Sequence, residues 1–384
     1  RRCLRFLVLI PGHFRSRQSM NVNDLVVPGV RSLQPYQPGK PVEELERELS
    51  IEGIVKLASN ENPRSPVATV QRAMAAAVSE ISRYPDGSGF QLKQRLSELL
   101  NVTPSNLTLG NGSNDVLELV VRAFVQPGEG VVVSAHAFAV YVLCASAAGA
   151  KLQETPARNW GHDLDAMFDM VDRETRAVFI ANPNNPTGTW VTSTKLRQFL
   201  DALPSHVIAV VDEAYFEYVE EAEYPDCIEM LPTYPNLIVT RTFSKIYGLA
   251  ALRVGYAIAS EQITDVMNRI RHPFNVNSIA LAAAVGALDD QEFVETSRVL
   301  NREQMAELCD GFSRLGLEWI PSVGNFVTVD VGQPAADIFH KMLLQGVIVR
   351  PVANYGMPNH LRFTVGLAFE NEKALRALEQ ALCR

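Results

Sequence analysis

At 384 residues the chain is too long for one small core, and its size alone implies roughly two to three domains. With 47% hydrophobic and 20% charged residues it has the composition of a soluble globular protein, and a net charge of −8 argues against nucleic acid as the main partner. Its five cysteines, Cys3, Cys144, Cys227, Cys309 and Cys383, are odd in number and far apart, with no CxxC pair and no His/Cys ligand spacing. That usage points to a reducing, cytoplasmic setting and to no structural metal.

In the first nineteen residues, five arginines flank the short apolar run Phe6–Ile10, and no acid appears before Asp24. The run is too short to span a membrane and lacks the small-residue cleavage site of a secretory signal. Met20 offers a good start, so residues 1–19 are expected to be an upstream extension outside the fold, with a transit peptide as the alternative. No other stretch reaches transmembrane length, and no membrane partner is expected.

From Met20 onward, strand-like and helix-like segments alternate across short turns rich in Gly, Pro and Asn. Apolar runs of strand length fall at Leu107–Leu109, Val131–Val133, Ala177–Ala181, Val207–Val211 and Leu237–Thr240, separated by helical periodicity such as Val116, Leu119, Val120, Ala123 and Phe124. This pattern predicts an α/β domain with a mostly parallel sheet. Farther on, a long helical stretch from about Ile279 to Leu315 leads to short strands at Phe326–Val329, Val347–Val349 and Leu361–Val365 and a final helix at Glu370–Leu382. These are read as a smaller α+β domain. The resulting division is residues 20–75 joining the small domain, 76–278 as the large domain and 279–384 as the small one.

Ligands of open α/β sheets bind beyond the carboxyl ends of the strands, so the residues after each apolar run are the candidates. The first run leads into Gly110-Asn111-Gly112-Ser113-Asn114-Asp115, a turn that could present backbone amides to a phosphate, although an ordinary helix cap is the simpler reading of the turn alone. After the second comes Phe138, whose ring could stack on a planar heterocycle or simply fill the core. The third ends in Asn182-Pro183-Asn184-Asn185-Pro186-Thr187-Gly188, more restricted than a plain connector needs. Asp212 closes the fourth, where a buried carboxylate needs a partner such as a protonated ring nitrogen, a helix amide or an arginine. The fifth ends at Thr242-Phe243-Ser244-Lys245, with Arg253 following. Alone, Lys245 reads as a solvated charge. Beside small hydroxyls and an arginine, it fits a lysine whose amine holds an aldehyde cofactor with its phosphate anchored nearby.

Taken together, Asn-Pro-x-Asn-Pro-Thr-Gly, Asp212-x-x-Tyr215 and Thr242-x-Ser244-Lys245 with Arg253 resemble the fold-type I pyridoxal-phosphate-dependent transferases, specifically the aminotransferases. The resemblance implies a large domain with a mostly parallel sheet flanked by helices, plus a smaller α+β domain. By position it implies that Lys245 joins pyridoxal 5'-phosphate as an imine, that Asp212 pairs with the ring nitrogen, and that Asn185 and Tyr215 contact the ring oxygen. It further implies that Phe138 stacks on the ring, that Ser113, Asn114, Thr242, Ser244 and Arg253 hold the phosphate, and that Tyr84 reaches the cofactor of the other subunit of a homodimer.

Within that family the chain is most similar to the histidinol-phosphate subgroup, through Leu57-Ala58-Ser59-Asn60-Glu61-Asn62-Pro63, Tyr84-Pro85-Asp86, Arg271-His272-Pro273-Phe274-Asn275-Val276-Asn277, Gly346-Val347-Ile348-Val349-Arg350-Pro351 and Leu361-Arg362-Phe363-Thr364-Val365-Gly366. The implied reaction moves an amino group between histidinol phosphate and a 2-oxo acid such as 2-oxoglutarate. Arg350 and Arg362 are the candidates for the substrate anion, with Tyr36 and Asn60 in support, while Arg350 also fits a surface ion pair. His136 and Phe138 depart from the Pro-Thr-Tyr order common in the subgroup. The same arginines would suit an amino-acid carboxylate, so an aromatic amino-acid aminotransferase is the rival, with a phosphothreonine decarboxylase and a non-catalytic effector-binding protein of this fold more distant.

Overall fold

The computed structural model describes residues 21–31, 33–34 and 39–383. The extension at 1–19 and Tyr36 lie outside the described residues.

In chain order the first ten strands are β1 (Val55–Lys56), β2 (Leu107–Gly110), β3 (Gly130–Ser134), β4 (Lys151–Thr155), β5 (Ala157–Arg158), β6 (Gly161–His162), β7 (Thr175–Ala181), β8 (Ile208–Asp212), β9 (Leu237–Thr242) and β10 (Gly255–Ala259). Seven of them form one sheet in the order β2-β10-β9-β8-β7-β3-β4. The pairs from β9 through β8, β7 and β3 to β4 are parallel, and β10 is antiparallel to both β9 and β2.

The continuous apolar runs reflect burial on both faces of this sheet. In β7, Ala177, Phe179 and Ala181 join one core cluster while Val178 and Ile180 join the other, and β3 divides Val131 and Val133 from Val132 in the same way. Helices Ser113–Phe124, Ala139–Ala147 and Glu261–Ile270 supply the first cluster, and Phe90–Leu100 and Ser193–Ala202 the second. Two strands of the sheet, β4 and β10, were not among the apolar runs. β4 is an edge strand whose exposed and buried positions mix, while β10, Gly-Tyr-Ala-Ile-Ala, is a short and fully buried apolar run just past Arg253.

The remaining strands are β11 (Trp319–Ile320), β12 (Phe326–Asp330), β13 (Val347–Ile348), β14 (Arg350–Pro351) and β15 (His360–Thr364). Four make an antiparallel sheet, β11-β12-β15-β14, covered by helices Gln291–Arg314, Ala335–Leu343 and Ala368–Leu382. β13 instead pairs in parallel with β1, and Val55 and Leu57 enter the same core cluster as Val327 and Phe363. The N-terminal segment is thereby tied to the C-terminal sheet.

The single long helix expected from Ile279 to Leu315 is two helices, Ser278–Leu288 and Gln291–Arg314. Asp289-Asp290 breaks it: the Asp290 carboxylate accepts from the Phe293 amide at 2.9 Å, the N-cap arrangement that aspartate prefers to a helix interior. Ala280, Ala283, Ala284 and Ala287 of the first helix pack into the large-sheet core, while Leu308 and Phe312 of the second pack with the small sheet. Among the described residues no helix is long and apolar enough to cross a membrane, and no group of His, Cys, Asp and Glu could hold a metal ion.

Candidate active site

A cavity of about 360 Å³ opens where the carboxyl ends of β8 and β9, the start of helix Ser113–Phe124 and the small sheet converge. The alternation of β8 and β9 decides which side chains it receives. Asp212 and Thr240 are register partners on adjacent strands and point to one face; Glu213 and Arg241, one residue on, point to the other. Asp212 is buried and lines the cavity. Its Oδ1 accepts from Thr240 Oγ1 at 2.9 Å and its Oδ2 from the Tyr141 hydroxyl at 2.7 Å. Burial pushes the Asp212 carboxyl above the usual range, opposed by the hydrogen bonds from these two hydroxyls.

Lys245 lies in the loop after β9. Its Nζ donates to the Ser59 carbonyl at 3.1 Å, and burial, reinforced by the nearby Arg362 and Arg253 charges, pushes its amine down to about 7. Tyr215 is buried, and its hydroxyl accepts from Asn60 Nδ2 at 2.9 Å. Asn60 is itself fixed, its amide donating to Thr364 Oγ1 at 2.9 Å and its carbonyl accepting from Asn325 Nδ2 at 3.0 Å. Asn60 lines the cavity, and one N–H of its side-chain amide goes to the Tyr215 hydroxyl, which it orients.

At one end of the cavity lie Ser113, Asn114, Thr242, Ser244 and Arg253. The side-chain cap that the 110–115 turn favours by composition is not formed: Gly112, at φ 81°, takes the N-cap position, and no side chain caps the helix. Leaving its first-turn amides without such a cap makes this a place for an anion. Arg253 stands beside it, with Nη1 donating to Ser244 Oγ at 3.1 Å. Two glycines allow this approach: a Cβ on Gly112 would strike the Arg253 guanidinium, and one on Gly255 would lie 2.5 Å from the Ser113 nitrogen.

At the other end, Arg350 of β14 and Arg362 of β15 are direct partners in the antiparallel register, so both guanidinium side chains leave one face of the small sheet. Arg362 is only 6% exposed; it donates to the Ala58 carbonyl at 2.7 Å and to Asn185 Oδ1. Phe138 also lines the cavity, edge-on to Tyr141 with ring centroids 5.7 Å apart. Tyr84 is not in this cavity. It is 82% exposed and stacks on Phe274, with ring centroids 4.7 Å apart.

Sequence reasoning missed Tyr141 and Thr240 as groups around Asp212. Period-two alternation was enough to put Thr240 on the same face of β9 as Thr242, whereas its pairing with Asp212 depends on the register. For Tyr141 the sequence offers only its place in the first turn of the helix that follows Phe138.

A cleft at the ends of parallel strands, with a lysine and a buried carboxylate between two cationic ends, defines a fold-type I transferase. The chain belongs to the aminotransferase class I and II family, whose model matches residues 52–379. It is 56% identical over 368 residues to histidinol-phosphate aminotransferase 2 of Pseudomonas fluorescens strain Pf0-1, covering 95% of this chain and 100% of that one. To histidinol-phosphate aminotransferase 2 of Pseudomonas aeruginosa it is 54% identical over 360 residues, covering 93% and 98%. Among solved structures, histidinol-phosphate aminotransferase of Sinorhizobium meliloti in complex with pyridoxal-5'-phosphate superposes with a TM-score of 0.85 at 29% identity, covering 96% of this chain and 98% of that one. An aspartate aminotransferase variant of Thermus thermophilus, at 22% identity and a TM-score of 0.80, shares the fold over 93% and 99% of the two chains.

Proposed function

We propose that this enzyme transfers an amino group between L-histidinol phosphate and a 2-oxo acid, with 2-oxoglutarate as the acceptor and pyridoxal 5'-phosphate as cofactor. The donor set fits that cofactor. Asp212 is a buried carboxylate with no salt bridge among the described residues, suited to a protonated ring nitrogen. The helix start at Ser113 and Asn114, with Thr242, Ser244 and Arg253, suits the phosphate, Phe138 the ring face, and Asn185 with Tyr215 the ring oxygen. When bound, the cofactor supplies an electron sink for carbanion charge.

The chain's own residues divide the rest of the work. Lys245 Nζ, held near 7, is neutral in a large fraction of molecules at neutral pH, so it can act as a nucleophile and can take and return a proton at the substrate's amine-bearing carbon. The Tyr141 and Thr240 hydroxyls favour the Asp212 anion and so offset part of the burial that pushes its carboxyl up. Asn60 orients the Tyr215 hydroxyl.

The observation that carries the substrate reading is the direct cross-strand opposition of Arg350 and Arg362 at the cavity wall. Like charges so placed repel, and a multiply charged phosphate between them turns that repulsion into binding. The names of the relatives agree with a phosphate-bearing donor.

We further propose that the enzyme is a cytoplasmic homodimer. Ile81, Tyr84, Phe90 and Phe274 are large apolar side chains left exposed, and a second copy would cover them and receive Tyr84 at its cofactor. Cys144, Cys227, Cys309 and Cys383 are free thiols, which suits the cytoplasm. We also place the division between the two working units at Asp289-Asp290, because helix Ser278–Leu288 packs with the large sheet.

A donor panel on the purified holoenzyme with 2-oxoglutarate, comparing histidinol phosphate, histidinol, phenylalanine, tyrosine and aspartate, tests the reading. Histidinol phosphate is expected to lead in kcat/KM by about 100-fold. A higher value for phenylalanine or tyrosine would assign the site to aromatic amino acids instead.

A further inference from the structure

The segment Arg271-His272-Pro273-Phe274-Asn275-Val276-Asn277 takes no part in the cavity lining. Yet its two asparagines grip the segments on either side of the proposed phosphate site. On one side, Asn275 Nδ2 donates to the Leu109 carbonyl at 3.0 Å and to Asp115 Oδ2 at 2.8 Å. That carboxylate oxygen also accepts from the Asn111 amide at 2.8 Å, so it ties down the turn that delivers Ser113 and Asn114. On the other side, Asn277 Nδ2 donates to the Leu252 carbonyl at 3.2 Å, one residue before Arg253.

The segment is itself anchored. Val276, between the two asparagines, is 4% exposed and packs in the large-sheet core. Asn277 Oδ1 caps helix Ser278–Leu288 by accepting from the Ala280 amide at 2.8 Å. Arg271 Nη1 donates to Asn275 Oδ1 at 2.6 Å, which orients the amide so that its NH₂ faces Asp115, and Nη2 donates to the Gly87 carbonyl at 2.8 Å. Phe274 turns outward at φ 55° and stacks on Tyr84.

These contacts explain why both sides of the cradle need a common support. Arg253 sits at φ 58°, a backbone region that non-glycine residues adopt at a cost, and the neighbouring turn relies on Gly112 at φ 81°. Both halves lie at the ends of elements, Ser113 and Asn114 in the first turn of helix Ser113–Phe124 and Arg253 just past the short helical turn Ala250–Leu252, where hydrogen bonds within the element hold the backbone least. We infer that Asn275 and Asn277 are positioning residues that clamp the two halves of the phosphate cradle at a fixed separation, so that Ser113, Asn114 and Arg253 meet one phosphate together. The inference rests on the reading that this end of the cavity holds the cofactor phosphate.

Titrating the cofactor-free full-length chain with pyridoxal 5'-phosphate and, separately, with pyridoxal, which has no phosphate, separates the possibilities by absorbance. The wild type should prefer the phosphorylated form strongly. Asn275→Ala should weaken pyridoxal 5'-phosphate about tenfold, the scale of one hydrogen bond, while leaving pyridoxal within about twofold. Asn277→Ser keeps a cap hydroxyl but is too short to reach Leu252, and it should show the same phosphate-selective loss with little change in Tm. Unchanged affinities, or equal losses for both ligands, would overturn the clamp. A wild type that does not discriminate between the ligands would overturn the phosphate reading beneath it.

Discussion

The Tyr141 hydroxyl donates a 2.7 Å hydrogen bond to Asp212 Oδ2 inside the core, from a helix that begins after β3 to the end of β8. Both groups are buried, and burial pushes both up: the phenol away from ionising, the carboxyl towards staying protonated. The hydrogen bond favours the Asp212 anion, because a carboxylate accepts better than a carboxylic acid does.

Tyr141→Phe removes that donor and little volume. The Asp212 pKa should rise further, so the acid limb of the kcat/KM profile should move to higher pH, and activity at neutral pH should fall about tenfold, the scale of one charge-assisted hydrogen bond. A pH profile of the variant beside the wild type checks the direction. An unmoved acid limb would show that Asp212 does not depend on Tyr141.

Lys245 carries a different burden. Its amine is brought down from the ordinary lysine value to about 7 chiefly by burial. Between that value and about 10.5 the unfolded chain binds the extra proton, so the stability of the cofactor-free protein should rise with pH across this window. Lys245→Met should abolish transamination yet raise the Tm of the cofactor-free protein at pH 7, because it leaves an apolar side chain where a desolvated amine stood. Thermal melts at pH 7 and pH 9 are the measurement: the wild type should gain stability between them and the variant should lose that gain.

How much of this was legible in the sequence depends on the length scale of each signal. Asp212, Lys245 and Asn185 stand at the ends of apolar runs, and the run itself locates them, because a strand buried on both faces has no other composition open to it. The small-domain arginines could be named, but their cross-strand opposition could not, since register depends on the turn between β14 and β15. Asn60 could be named as a candidate pocket residue, whereas its hydrogen bond to Tyr215 joins residues far apart in the chain. The break at Asp289-Asp290 was a missed local signal: two aspartates in succession cap a helix better than they continue one. β10 was a missed local signal too, since Tyr256-Ala257-Ile258-Ala259 is an apolar run of strand length, buried throughout.

Arg362 combines two roles that separate under substitution. It anchors Asn185 and the Ala58 carbonyl, and it faces the proposed substrate anion. Arg362→Lys keeps the charge but loses the planar fork. Its kcat/KM for histidinol phosphate should fall about 10- to 100-fold, and the preference for histidinol phosphate over histidinol should narrow by a similar factor. Parallel kinetics with the two donors provide the check; an unchanged preference ratio would remove Arg362 from the anion site.

The face of the sheet opposite Asp212 provides a contrast. Arg241 donates through Nε to Glu213 Oε2 at 2.9 Å and through Nη2 to Asp226 Oδ1 at 2.9 Å, and its guanidinium lies 3.5 Å from the centre of the Phe216 ring. The Arg241 and Glu213 side chains are 4% and 0% exposed. Glu213→Gln would leave the guanidinium buried with Asp226 as its remaining carboxylate, and the stability loss should be about 3 kcal/mol, the scale of breaking a buried pair by removing one partner. Because β8 points this side chain away from the cavity, kcat/KM per folded molecule should stay within about twofold of the wild type. Urea unfolding alongside active-site titration measures both quantities. A large loss of kcat/KM without a loss of stability would mean that the ion pair behind the sheet sets the position of Asp212, since the two carboxylates are adjacent residues that share one strand end.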